Sequence, residues 1–140
     1  MRILGIDFGD ARTGIAVSDA NEFMASPVTV IKETDFEAVV KKSAEYADEY
    51  KVGRIVVGYP KNMNGTIGDR AQKSELFSKN LEESSGIPVT LWDERCTTMV
   101  AAAYMNATDT HGKKRKNTID AAAATIILQD YLDYKKNKGI

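Results

Sequence analysis

The chain has 140 residues, the size of one ordinary domain with a single core, and its 43% hydrophobic and 28% charged residues exclude a disordered polymer. A net charge of −1 excludes a globally basic nucleic-acid binder, and the single cysteine, Cys96, excludes an internal disulfide, as fits a reducing cytoplasm. The longest nearly apolar run, Ala121 to Leu128, falls well short of the roughly 20 residues that span a bilayer, and Met1-Arg2 leads straight into a strand, so neither a membrane span nor a secretory signal is expected.

Residues 2–8 read as a strand in which the run Arg2-Ile3-Leu4-Gly5-Ile6 is closed by Asp7, and Arg12 to Asp19 reads as a second. The short Gly9-Asp10-Ala11 link predicts an antiparallel hairpin, and Pro27 to Glu33 extends it to a three-strand meander. Phe36 to Tyr50 carries a helix-period stripe of Phe36, Val39, Val40, Ala44, Ala47 and Tyr50, with Thr34 and Asp35 as candidate caps. Arg54-Ile55-Val56-Val57-Gly58 is a β-branched run of the kind buried on both faces of a sheet, and Pro60 ends it. An Asn- and Gly-rich loop, Lys61 to Gly68, precedes a helix over Arg70 to Glu83. Pro88 to Trp92 is a fifth strand, Thr98 to Asn106 a third helix and Ile119 to Lys135 the last. The order β-β-β-α-β-α-β-α-α predicts one α/β domain over residues 1–140, a mixed sheet with helices on its faces.

Three acids stand where apolar segments begin or end. Asp7 closes the first strand, Glu94 follows Val89-Thr90-Leu91-Trp92, and Asp120 opens the alanine-rich helix Ala121-Ala122-Ala123-Ala124. Alternation puts Ile3, Gly5, Asp7 and Gly9 on one face of the first strand, and Gly14, Ala16 and Ser18 on one face of the second. Packing the thin alanine turn onto this thin face would bring Asp120 toward Asp7. Alternation leaves open whether Asp93 or Glu94 joins them. Carboxylates gathered without clustered His or Cys suit a hard divalent ion, magnesium or manganese. Two like charges 4 Å apart repel by about 4 kcal/mol at an effective dielectric of 20, so such a cluster calls for a cation. In the first turn of its helix, Asp120 would also gain about 0.3–1 kcal/mol from the helix dipole.

The densest basic block, Lys113-Lys114-Arg115-Lys116, lies just before the helix carrying Asp120, where it is either a phosphate-steering element or a solvated loop. Arg70, in the stretch after the fourth strand, and Arg95, beside Glu94, are further candidates for phosphate contact, with a turn and an internal ion pair as their respective plainer readings. His111 reads as an exposed loop histidine. Cys96 has no evident base to activate it.

The segments Gly5-Ile6-Asp7-Phe8-Gly9, Gly14-Ile15-Ala16-Val17-Ser18-Asp19, Val57-Gly58-Tyr59-Pro60-Lys61-Asn62-Met63-Asn64-Gly65, Asp93-Glu94-Arg95 and Asp120-Ala121-Ala122-Ala123, in this order, resemble the bacterial pre-16S ribosomal RNA nuclease family, also described as Holliday-junction-resolvase-like. The resemblance runs from residue 1 to about residue 134. It implies a ribonuclease H-like fold with a five-stranded mixed sheet whose first three strands are antiparallel. It further implies an acidic triad of Asp7, Glu94 and Asp120 and selects Glu94 over Asp93. Two magnesium or manganese ions would follow, with Asp7 bridging both and Glu94 and Asp120 each helping to hold one. The resemblance also brings the loop of Asn62, Asn64, Gly65, Gly68 and Arg70 near the active edge, where phosphates would meet it. Its implied substrate is precursor 16S ribosomal RNA, trimmed at the 5′ end in the cytoplasm, with pre-ribosomal particles as further partners. A basic residue common near position 11 is here Ala11, which leaves Arg12 as the nearby cation.

Three other readings compete. A resolvase of branched DNA shares the fold and the acids and needs a dimer, whereas the sequence is silent on oligomeric state. A non-catalytic RNA-binding factor in ribosome assembly would keep the triad unused. A nucleotide phosphotransferase, to which Asp7-Phe8-Gly9 also bears likeness, would need two related domains, and this chain has room for one.

Overall fold

The computed structural model describes residues 1–60, 67–93 and 112–137, with side chains of the last helix described over 121–136. Five strands, β1 (Ile3–Asp7), β2 (Arg12–Ser18), β3 (Ala25–Lys32), β4 (Arg54–Tyr59) and β5 (Val89–Asp93), form one sheet in the order β3-β2-β1-β4-β5. The first three are an antiparallel meander, and β4 and β5 add in parallel to β1. Helices α1 (Phe36–Glu49) and α2 (Asp69–Ser85) cover one face, and α3 (Gly112–Asn137) covers the other. The third helix expected at Thr98 to Asn106 lies outside the described residues. Among the described residues no helix is long and apolar enough to cross a membrane.

Strand alternation divides the core in two. Leu4, Ile6, Phe8, Ile15, Val17, Ile55 and Val57 face α1 and α2, where the Phe8 and Phe77 rings stack with centroids 4.4 Å apart and Phe36 meets both edge-on. Ile3, Ala16, Ala25 and Val56 face α3 and pack against Ala124, Ile127, Leu128 and Leu132. Ile55, Val56 and Val57 of β4 are fully buried, as their unbroken β-branched run implies. Asp35 caps α1 by accepting the Ala38 amide at 3.2 Å, which settles the choice between Thr34 and Asp35. Gly86, at φ 72°, ends α2 in the left-handed conformation that glycine adopts without strain.

One expectation fails. The last helix begins at Gly112, so Asp120 sits about two turns inside it and not in its first turn. The dipole argument for Asp120 therefore falls, because that effect fades within the first turn. By the same token the segment Lys113 to Lys116 is helical, not a loop before the helix. The misreading has a physical cause: the polar stretch 112–118 has no apolar stripe, and periodicity detects a helix only where it buries one.

Candidate active site at the carboxyl edge of the sheet

Asp7 is the last residue of β1, the central strand, and is half-buried. Because β1, β4 and β5 run parallel, their ends at Asp7, Tyr59 and Asp93 share one edge of the sheet. From β1 the chain turns to β2 on one side, while the crossover strand β4 lies on the other. Open α/β sheets bind ligands outside the carboxyl ends of their strands at such a reversal. Asp7 pairs with Gly14 on β2, and on β4 it is Gly58 that follows Val57, the partner of Ile6. Both positions flanking Asp7 thus lack side chains.

The helix α3 is seated directly on this bare stripe. A Cβ added at Gly5 would stand 2.6 Å from the Leu128 Cβ and 3.1 Å from the Ala124 carbonyl oxygen, so glycine is what permits the contact. The direction of the helix follows from its far end. Gln129 accepts the Ala25 amide at 2.8 Å and donates to the Phe23 carbonyl at 3.0 Å. Lys135 reaches Glu22 at 2.8 Å, and Glu22 also holds the Met1 ammonium. These partners lie where β1 starts, so α3 runs antiparallel to β1 and its earlier residues approach the Asp7 edge. Asp120, Ala124 and Leu128 follow one another at intervals of one turn along one side of the helix. From Ala124 back to Asp120 the helix rises about 6 Å. From Gly5 on to Asp7 the strand advances about 6.6 Å. The backbone at position 120 therefore lies beyond the Gly5 contact on the side toward Asp7.

The same edge carries cations. Arg12 opens β2 with the parity of Gly14 and Ala16, and so lies on the α3 face with Asp7. Arg70 is exposed in the first turn of α2, the helix that follows β4. Lys73, one turn further, forms an ion pair of 3.1 Å with Asp10 at the tip of the β1–β2 turn. That turn is tightly made: Gly9 donates its amide to Thr13 Oγ1 at 3.4 Å, and a Cβ at Gly9 would collide with the Arg12 carbonyl oxygen. Tyr59, at the end of β4, pairs with Glu75 of α2, and burial together with that carboxylate pushes its phenol above the usual value. On β5, Trp92 donates its indole N–H to Asp130 at 2.7 Å and packs edge-on against Tyr131, which fixes Trp92 on the α3 face. Asp93 consequently alternates to the opposite face.

Of the sequence-derived candidates, the structure brings Asp7, Arg12 and Arg70 to this edge. The backbone of Asp120 lies toward that edge from the Gly5 contact, and that of Lys114, Arg115 and Lys116 lies one to two turns before Asp120 in α3. Asn62, Asn64, Glu94 and Arg95 lie outside the described residues. The Lys73–Asp10 pair, the Tyr59–Glu75 pair and the Trp92–Asp130 bond were not read from the sequence. Each joins residues at least 16 positions apart, so no local pattern announces it.

A mixed sheet of this order, with its first three strands antiparallel and helices on both faces, defines the ribonuclease H-like class. The fold is shared with RuvC of T. thermophilus, solved with a Holliday junction substrate, at a TM-score of 0.63 and 14% identity over 98% of this chain and 96% of that one. It is shared too with the fowlpox virus resolvase, solved with Holliday junction DNA, at a TM-score of 0.59 and 12% identity over 96% of this chain and 98% of that one. In sequence the match is far closer. The family described as "RuvX: Holliday junction resolvase" matches residues 1–134, and the chain belongs to that family. A Desulfitobacterium hafniense protein named "Putative pre-16S rRNA nuclease" is 49% identical over 139 residues, covering 99% of this chain and 96% of its own. A Bacillus subtilis protein of the same name is 44% identical over 135 residues, covering 95% and 98%.

Proposed function

We propose that this protein is a metal-dependent nuclease that hydrolyses phosphodiester bonds and processes the 5′ end of precursor 16S ribosomal RNA in the cytoplasm, acting on pre-ribosomal particles. The observation that supports this reading is the seating of α3 on Gly5 in the direction that carries position 120 toward Asp7, at the carboxyl end of the central strand. Glu94 would complete the triad. The family resemblance selects it over Asp93, which alternates to the face away from α3.

The donor set fits a hard dication: it would consist of three carboxylates with no thiol or imidazole, and glycines flank Asp7 on the sheet. When bound, magnesium or manganese ions, two in this reading, supply an activated hydroxide and stabilise the departing oxygen. The chain's own part is placement. Asp7, Glu94 and Asp120 hold the ions. Arg12 and Arg70 meet phosphate oxygens through charge-assisted hydrogen bonds, joined by Asn62, Asn64 and Arg95. The eight residues that precede Asp120 in α3 add about 12 Å of helix, and Lys114, Arg115 and Lys116 ride on that arm to steer the backbone of the substrate.

The test is a cleavage panel of precursor 16S RNA, generic single-stranded RNA and four-way-junction DNA with each ion. Asp7→Asn serves as control and melting temperatures are read in parallel. Wild-type protein is expected to cleave precursor RNA, to gain thermal stability from millimolar manganese or magnesium as native-state ligands require, and to lose turnover but not the fold on Asp7→Asn. A fully active Asp7→Asn protein sinks the reading. The description of the matching family keeps one alternative in view, and symmetric cutting of the junction in preference to RNA would establish it.

A further inference from the structure

We infer that Lys73 is a substrate-positioning residue, parked on Asp10 in the free protein and transferred to a phosphate of the RNA strand when the site fills. The inference rests on the nuclease reading above and extends it to a residue outside the triad and its candidate phosphate contacts.

Three observations support it. The first is place. Asp10 is three residues beyond Asp7, at the tip of a turn held by the Gly9–Thr13 contact and by the amide of Glu33, which donates to the Ala11 carbonyl at 3.1 Å. Lys73 Nζ, 3.1 Å from Asp10 Oδ1, is thereby fixed beside the carboxyl edge.

The second is arrangement on α2. Ala71, Ser74, Phe77 and Ser78 form the buried side, which leaves Arg70 and Lys73, three residues apart, together on the exposed side of the first two turns. Two cations one turn apart, one of them reaching the β1–β2 turn, suit contacts with successive phosphates better than a lone surface lysine does.

The third is energetic. The two side chains are 55% and 73% exposed. Exposed ion pairs between long, mobile side chains contribute little to stability. A phosphate can therefore displace Asp10 at little expense, while Asp10 keeps the ammonium aimed at the edge and repels anions that do not bring enough contacts to displace it. As a structural brace the pair would be poor, because the turn is already held by its backbone and by Thr13.

The experiment measures binding of a labelled single-stranded oligoribonucleotide in EDTA across a salt series, and cleavage of precursor RNA with manganese, for wild type, Lys73→Gln, Lys73→Arg, Asp10→Asn and Asp7→Asn. Lys73→Gln is expected to lower the log–log salt slope by about 0.7, one phosphate contact on a single strand. It should raise KM severalfold with kcat held and leave thermal unfolding as in wild type, and Lys73→Arg should restore slope and KM. Asp10→Asn is expected to tighten binding, and to do so less in a Lys73→Gln background. A Lys73→Gln protein with wild-type slope and KM, alongside an Asp7→Asn protein that binds but cannot cut, overturns the role of Lys73 alone. Wild-type protein that neither binds nor cleaves RNA overturns the nuclease reading and this inference together.

Discussion

The two faces of the sheet are built on opposite plans. Toward α1 and α2 the strands present Leu, Ile, Val and Phe, and the stacked Phe8 and Phe77 fill a thick layer. Toward α3 the central positions are Gly5, Gly14, Ala16 and Gly58, and the helix answers with Ala121, Ala122 and Ala124. The bulky face supplies most of the burial, whereas the thin face determines how closely a helix approaches and hence which helix residue stands beside Asp7. Stability and alignment are therefore separable by mutation.

The sharpest break of that comparison is Phe77→Ala on the thick face. Emptying a fully buried aromatic site should cost about 3–5 kcal/mol in urea titrations while leaving cleavage per folded molecule near wild type. On the thin face Gly5→Ala should cost less, about 1–3 kcal/mol, because a methyl is forced to within 2.6 Å of Leu128. Its effect on activity should nonetheless be greater. The helix it displaces carries Asp120, so turnover per folded molecule is expected to fall more than the stability loss explains. Equal losses of activity in the two variants would erase the distinction between the faces.

Trp92→Phe sharpens the comparison at the sheet's edge. It removes the indole donor to Asp130 but keeps an aromatic ring against Tyr131, with an expected loss of about 0.5–1.5 kcal/mol. The smallest effect lies at the opposite end of α3. Lys135 and the Met1 ammonium hold the Glu22 carboxyl below its usual value. A carboxylate whose folded pKa is depressed contributes stability at neutral pH, and that contribution drains away as pH falls from the unfolded value of about 4.3 through the lower folded one. Melting curves of wild type and Glu22→Gln should therefore differ at pH 7 and converge in acid. A gap that widens on acidification would contradict the sign.

Much of the fold was legible from local pattern. The hairpin at Gly9-Asp10-Ala11, the stripe on α1 and the β-branched run of β4 each declare their structure within a few residues, because turn chemistry and burial periodicity act locally. Ser43 shows the limit: it sits fully buried on α1 between Val39 and Ala47, its hydroxyl without a hydrogen-bond partner among the described residues, where an apolar stripe read from sequence passes it over. The start of α3 was misread for the converse reason, since its first turns carry no apolar face.

For the site, the residues alone determined that an acid ends the first strand, that small residues surround it and that an alanine helix carries another acid. Only the tertiary structure decided that the end of the first strand and the earlier turns of that helix lie toward the same edge of the sheet. That required the antiparallel seating of α3 on Gly5, the parallel addition of β4 and β5 that aligns three strand ends, and the alternation that turns Trp92 toward the helix and Asp93 away. Side-chain chemistry is written residue by residue. Proximity between positions more than a hundred apart is set by how whole elements pack, and no window of the sequence contains it.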